Sequence, residues 1–337
     1  MASAPLVEAT RGPARESLHY GAVAIVDSSG RLRYRAGDPG LGLFLRSSAK
    51  PLQAIPLVES GGADRFGLDA RELAVACGSH AAEPEHLAAV RSLLSKAGLD
   101  DEALQCGAHA PGDPVQAAAL VRAGRPPGPI HINCSGKHAG MLAACRANGW
   151  PIATYRAPEH PLQREIAGLV SAFSGAPASA AVRGTDGCGV PTFWMTVAQV
   201  AVAFARLADP SRLPGSRAGA VGRLTRAMIA HPVLVSGTGR FNAVLMHALG
   251  DRLFAKTGAE AVFGVGLLEH GWGLGVKIED GNSRGMGAVV LEALRQLEMV
   301  TPSELEALSE HHRPTLRNHE GRAVGGLRPI FTLEKVS

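Results

Sequence analysis

Strand-like alternation is confined to the two ends of this chain, and the long stretch between them repeats with a helical period. Any sheet must therefore be assembled from segments far apart in sequence. Residues 20–27 are apolar and β-rich, Ser28-Ser29-Gly30 makes a turn, and 31–36 continues as the second arm of a hairpin. Towards the other end, 261–267 and 274–278, joined near Gly271, read as an antiparallel pair followed by an amphipathic helix over 283–297. Helical patterns fill the middle, at 70–77, 84–97, 115–123, 136–147, 161–173, 196–207, 216–230 and 241–249, with another starting at Ser47 or Ser48 as its cap. The pattern predicts an α+β fold, an antiparallel sheet built from both termini and packed with a central helical region. We read 1–337 as a single catalytic unit, with 1–45 and 250–337 supplying the sheet and 46–249 mainly helical.

Composition narrows the function classes. Apolar residues are 46% and charged residues 19%, ordinary for a globular chain, while 41 glycines and 4% aromatics suit tight packing better than platforms for stacking bases. The net charge is +4 with no block of five or six like charges, so neither nucleic acid nor a membrane surface is an expected partner. Residues 1–13 carry no apolar core of a signal segment and no apolar run approaches a membrane span, so the expected location is cytoplasmic. Five cysteines, an odd number in a long chain, point to reduced thiols or metal ligands rather than a disulfide framework.

The most informative segment is Arg46-Ser47-Ser48-Ala49-Lys50-Pro51, where strand pattern gives way to helix. Positions three apart share a helix face, so Ser47 and Lys50 can meet. A serine hydroxyl becomes a nucleophile when a base takes its proton, and a lysine can be that base when burial or a second cation lowers its pKa. Lys256 is a candidate second cation, Arg46 can hold an anionic substrate group, and a helix N-terminus offers N–H groups to an oxyanion. Alone, S-x-x-K also reads as a serine cap and a solvated lysine. A later Lys256-Thr257-Gly258, just before a predicted strand, adds the second half of the layout found in penicillin-binding proteins and serine β-lactamases, where the glycine lets substrate approach the strand edge; Gly258 takes that place here. No clear counterpart of the intervening S-D-N element is present. Ser79, in Ala76-Cys77-Gly78-Ser79-His80, is either a loop residue capping the next helix or a partner of Lys256.

Cys134, opening a helix in Asn133-Cys134-Ser135-Gly136-Lys137-His138, and Cys188, in the glycine-rich turn 183–189, can share one Zn2+. A third donor from the same helical turn is His138 or Lys137, the latter only after losing its proton. Asp186 is placed to orient a metal-bound water. The plainer reading makes both thiols small buried hydrophobes, as we read Cys77, Cys106 and Cys145.

Five segments in order, RSSAKPLQ (46–53), ACGSHAAEPEH (76–86), NCSGKHAGML (133–142), GTDGCGVP (184–191) and AKTGAEAVFGVG (255–266), resemble the rhizobial-type, class 3 L-asparaginases, with likeness over roughly 6–332. That resemblance implies a serine β-lactamase-like fold, a homodimer, hydrolysis of L-asparagine to aspartate and ammonia, and a supporting zinc ion. It implies Ser47 with Lys50 and Ser79 with Lys256 as catalytic tandems, and Cys134, Lys137 and Cys188 as zinc ligands. Asp186 would bond the zinc-bound water, and Arg46 and His138 would lie beside the substrate. Asn242 stands where rhizobial relatives carry cysteine. The alternatives are another amide substrate for the same serine-lysine chemistry (glutamine, a β-lactam or a D-amino peptide), or a non-catalytic amino-acid-binding protein on the same scaffold.

Overall fold

The computed structural model describes residues 2–176 and 183–336. Its larger sheet joins the two ends of the chain, as the separated strand patterns require. From the N-terminal side come β1 (Ala4–Arg11), β2 (Ala14–Asp27) and β3 (Leu32–Ala36). A second, three-stranded sheet is formed by β4 (Gly42–Phe44), β5 (Arg183–Thr185) and β6 (Pro191–Thr196), in the order β4-β6-β5. The C-terminal side gives β7 (Leu253–Gly258), β8 (Val262–Leu267), β9 (Trp272–Ile278), β10 (Thr315–Arg317), β11 (Ala323–Pro329) and β12 (Glu334–Lys335). The larger sheet runs β10-β11-β1-β2-β9-β8-β7, with β3 paired to both β2 and β12. Its seam is the antiparallel pairing of β2 with β9, from Gly21 opposite Ile278 to Asp27 opposite Trp272.

Consecutive residues 21–27 of β2 are all buried, so both faces of that strand are covered. The helix Val197–Ala208 lies on β2, β8 and β9, and it can sit so close because the strand beneath it lacks side chains: a Cβ on Gly273 would stand 1.9 Å from the Ala201 carbonyl oxygen. Helix Met286–Gln296 packs on β1, β9 and β11. The helical middle follows the predicted periods to within a residue or two, and local chemistry sets several starts. Asp69 and Glu72 form a reciprocal capping box at Ala70–Ala76, and Thr196 and Gln199 do the same at Val197–Ala208.

The structure corrects or extends the sequence reading at several places. Neither Ser47 nor Ser48 caps the helix after β4: the chain first turns through a 3-10 segment, Arg46–Ala49, and the α-helix begins at Lys50 with a proline in its first turn, the position where proline fits. Lys256-Thr257-Gly258 precedes the predicted strand, which is β8, and itself closes a further strand, β7, because Lys256 and Thr257 pair with Gly264 and Phe263 of β8. Strands β1, β10, β11 and β12 carried no recognised pattern; β11 is interrupted by two glycines and becomes a strand by pairing with β1. Among the described residues, no helix is long and apolar enough to cross a membrane.

Candidate active site

Leu45 leaves β4 bonded through its N–H to the Phe193 carbonyl, and Arg46 follows with its N–H on Thr192 Oγ1 and a positive φ of 48°. A non-glycine residue there is held by its surroundings at some cost. The turn presses the serine segment against β7, where a Cβ on Gly258 would come within 3.1 Å of the Leu45 carbonyl oxygen. Gly258 thus brings two protein backbones together, besides lining the cavity next to it.

Lys50 and Lys256, from elements some 200 residues apart, converge on one hydroxyl: both Nζ atoms stand 2.9 Å from Ser79 Oγ. Both lysines are 0% exposed. Holding two ammonium groups there without solvent would be expensive, so the amines are driven towards neutrality. Burial, then the charge of Lys50, pushes Lys256 well below the usual lysine range, and burial pushes Lys50 down as well. The hydrogen bonds can be made by ammonium groups and equally, once a proton is lost, by neutral amines, and the neutral case is the one that gives Ser79 a base. Lys50 donates to the Gly78 carbonyl at 2.7 Å and the Asn133 carbonyl at 3.1 Å. Those two N–H bonds exhaust a neutral amine's donors and leave its lone pair for the Ser79 O–H. Lys256 donates to the Thr257 carbonyl at 2.8 Å and can donate to Ser79 Oγ in the same arrangement. The result is a hydroxyl that can take a proton from one amine while giving its own to the other.

Ser47 shares a cavity of about 350 Å³ with Ser79, Asn133, Thr257 and Gly258, and its hydroxyl makes no hydrogen bond among the described residues. Of the two expected tandems, Ser79 and Lys256 are in contact, whereas Lys50 reaches Ser79 instead of Ser47, and the Ser47 hydroxyl is left free at the cavity wall. The Ser79 loop is pinned by two further bonds, its own N–H to the Val235 carbonyl and the His80 N–H to the Asn133 carbonyl. His80 Nδ1 accepts from the Ala82 N–H, so its Nε2–H donates to Ser135 Oγ at 2.8 Å. A buried neutral imidazole thus ties the Ser79 loop to the turn bearing Cys134.

Behind the lysines lie the thiols. Cys134 and Cys188 lie side by side and interact through their thiols, and Lys137 Nζ is 2.9 Å from Cys188 Sγ. The interaction with Cys188, helped by the amines of Lys50 and Lys137, pushes the Cys134 thiol far below its usual range, and the same interaction pushes Cys188 up. Burial would lower Lys137, but the neighbouring sulfurs, Cys134 before Cys188, outweigh it and its pKa is raised. The hairpin β5–β6 carries Asp186 and Cys188. Asp186 accepts from Arg46 Nε at 2.7 Å, and Lys137 and Arg46 together hold its carboxyl below the usual range despite burial. Arg46 is thus paired to a protein carboxylate. His138 bonds through Nδ1 to the Tyr155 hydroxyl at 2.7 Å, and its buried Nε2 has no partner among the described residues. Burial holds this imidazole neutral. Of the two candidates for a third metal donor, Lys137 is the one in contact with a thiol.

Two sulfurs and an amine lie together in a buried pocket, with one thiol already disposed to ionise; thiolates are donors a zinc ion takes readily, whereas an amine is outside its usual set of thiolate, imidazole and carboxylate. Among the described residues, no group of three or more His, Cys, Asp or Glu side chains is arranged around a common centre. The candidate set accordingly depends on an amine that must lose its proton to bind.

Several contributors had no readable signal. The Gly78 and Asn133 carbonyls act through backbone position. Asn242 was noted only as a departure, yet its side-chain amide accepts from the Thr257 N–H at 2.9 Å and donates to the Ala255 carbonyl at 3.2 Å, closing the outer edge of β7 on both sides of Lys256.

Comparison with known families places residues 7–329 in a match to the family described as L-asparaginase II. Among curated proteins no significant match is found. Solved structures with similarity include Mglu, at 17% identity and a TM-score of 0.36 over 82% of this chain and 66% of that one. A beta-lactamase from Mycobacterium bovis shows 17% identity and a TM-score of 0.39 over 87% and 95% of the two chains. A provisionally assigned beta-lactamase from Bacteroides dorei DSM 17855 shows 12% identity and 0.42 over 82% and 93%. The chain spans just under two thirds of the Mglu chain's length. At these TM-scores the likenesses support no functional statement.

Proposed function

The chain belongs to the L-asparaginase II family, an asparaginase-type amidohydrolase family, and from that premise we propose that it hydrolyses L-asparagine to L-aspartate and ammonia by serine-lysine chemistry. The observation that carries this reading is Ser79 Oγ held 2.9 Å from two fully buried lysine amines, on a cavity that also exposes an unengaged serine hydroxyl. In this reading Ser47 Oγ attacks the side-chain amide carbon. Its proton enters the Lys50–Ser79–Lys256 relay and is returned to the departing nitrogen, so that ammonia leaves as the C–N bond breaks. The resulting Ser47 ester is cleaved by water, whose proton travels the same relay back to Ser47. Ser79 is assigned the relay and Ser47 the attack because the first hydroxyl is locked between bases and the second is free to reach substrate.

Cys134, Cys188 and Lys137 would hold a zinc ion, which when bound supplies a fixed positive charge close to Lys50 and thereby helps keep its amine deprotonated. Arg46 and Asp186 position that pocket's edge through their ion pair. A homodimer and a cytoplasmic location complete the proposal, on the resemblance to class 3 enzymes.

The test is ammonia release from L-asparagine, L-glutamine and a β-lactam, with and without a chelator. Ser47→Ala should lower kcat by about a thousandfold or more with the melting temperature unchanged, and a brief incubation with substrate should label the wild type, not the variant, with one acyl group by intact mass. Ser79→Ala should slow turnover about a hundredfold while still forming the adduct. Near-normal turnover by Ser47→Ala would remove Ser47 as nucleophile.

A further inference from the structure

Beyond the two serines, the cavity wall includes Ser236 and Arg240, the two ends of the segment Ser236-Gly237-Thr238-Gly239-Arg240, and Arg240 is the one charged residue among the described residues that line this cavity. No carboxylate among the described residues pairs with it, in contrast to Arg46, which Asp186 occupies. The guanidinium is held in place by packing: a Cβ on Gly112 would stand 2.3 Å from Arg240 Nη2, and a Cβ on Gly237 would stand 3.4 Å from its Cδ. The loop beneath it is fixed from outside, Thr238 donating to the Glu83 carboxylate through both N–H and Oγ1. Arg240 is also the N-cap residue of the nine-residue helix Phe241–Leu249, which receives no side-chain cap. Phe241 and Asn242 of its first turn line the same cavity.

A second observation points independently to a ligand. Ser236 lines this cavity, is 1% exposed, and its Oγ has no hydrogen-bond partner. A buried hydroxyl without a partner costs stability unless something it binds repays it. An unpaired guanidinium, an uncapped helix start and an unpartnered hydroxyl share one chemical demand, a small anion with several acceptor oxygens.

We infer that Arg240, with Ser236 and the first turn of Phe241–Leu249, forms the subsite for the α-carboxylate of the amino-acid substrate, opposite the serine-lysine centre that receives its amide. This rests on the amidohydrolase reading above and deepens it, because it makes a free carboxylate a condition of productive binding. Glutamine satisfies that condition as well as asparagine does, whereas a carboxyl-esterified asparagine does not.

The experiment follows binding and turnover separately. Binding of L-aspartate, the expected product, is measured by calorimetry on wild type, Arg240→Gln, Arg240→Lys and Ser236→Ala, with thermal melting as the check on folding; ammonia release is measured with L-asparagine and L-asparagine methyl ester. Arg240→Gln should weaken L-aspartate binding and raise KM for L-asparagine about ten- to a hundredfold with a smaller change in kcat, and should leave the poor rate on the ester unchanged. Arg240→Lys should restore part of the affinity, and Ser236→Ala should lose about two- to tenfold while folding normally. Should Arg240→Gln fail to fold, the Arg240→Lys and Ser236→Ala pair decides. Unchanged L-aspartate affinity in the folded variants, equal wild-type rates on acid and ester, or no L-aspartate binding by the wild type overturns the subsite. Arginine-dependent binding without any ammonia release would instead overturn the hydrolase reading and leave the subsite standing.

Discussion

Lys256 carries the clearest pH consequence of any single residue in the site. Its neighbours are the Lys50 amine, the thiols of Cys77 and Cys134, and Arg240, and burial dominates them all in pushing its pKa down. A relay amine must be unprotonated to take a proton, so kcat should fall on the acid side as pH drops through that lowered pKa and stay level above it. The measurement is a pH–rate profile of wild type and Lys256→Arg. A guanidinium that stays charged should abolish the plateau at every pH, and a retained plateau would exclude Lys256 from proton transfer. At this scale the sequence disclosed residue types and little about pairing. Ser47 and Lys50 looked like natural partners by spacing, yet the Lys50 amine bonds to Ser79, 29 positions away. A 3-10 turn in place of a capped α-helix changes where a side chain three residues on can point.

Among the elements, β7 matters most, because it is an edge strand that must hold a buried lysine in one place. Edge strands expose unpaired backbone groups, and this one is closed by a side chain instead of a neighbour: Asn242 fills both hydrogen-bonding positions flanking Lys256. Removing that amide strands a buried carbonyl and an N–H. Asn242→Ala should therefore cost about 1–3 kcal/mol in chemical denaturation and slow turnover through a displaced Lys256. Asn242→Asp keeps the acceptor for Thr257 and loses the donor to Ala255, so its cost should be intermediate or larger if the carboxylate stays charged. No stability loss in Asn242→Ala would show the edge to be held by other contacts. Helix positions were readable here because capping boxes and apolar periods are local; β11 was not, because its strand character comes from pairing with β1.

For the molecule as a whole, two buried lysines at the centre, both with pKa values lowered by burial, impose a stability cost that depends on pH. For Lys256 the folded pKa lies below that of the unfolded chain, near 10.4. Between those two values the unfolded chain binds the extra proton, so unfolding free energy should rise with pH, by up to about 1.4 kcal/mol per pH unit for one such group. Below the folded pKa the contribution levels off. Denaturant midpoints from pH 6 to pH 9 should rise more steeply for wild type than for Lys256→Met, and parallel slopes would mean that Lys256 stays protonated inside the fold. The α+β class, the helical middle, the sheet drawn from both ends and the residue types for serine-lysine and thiol chemistry were set by the sequence itself, since periodicity, caps and motif order are local properties that survive without a partner. Tertiary structure alone decided which lysine meets which serine, that Lys137 and not His138 touches a thiol, that Arg46 is already paired, and that Arg240 stands unpaired in the cavity. Those outcomes turn on distances between residues 29 to 177 positions apart, and no local pattern encodes such distances.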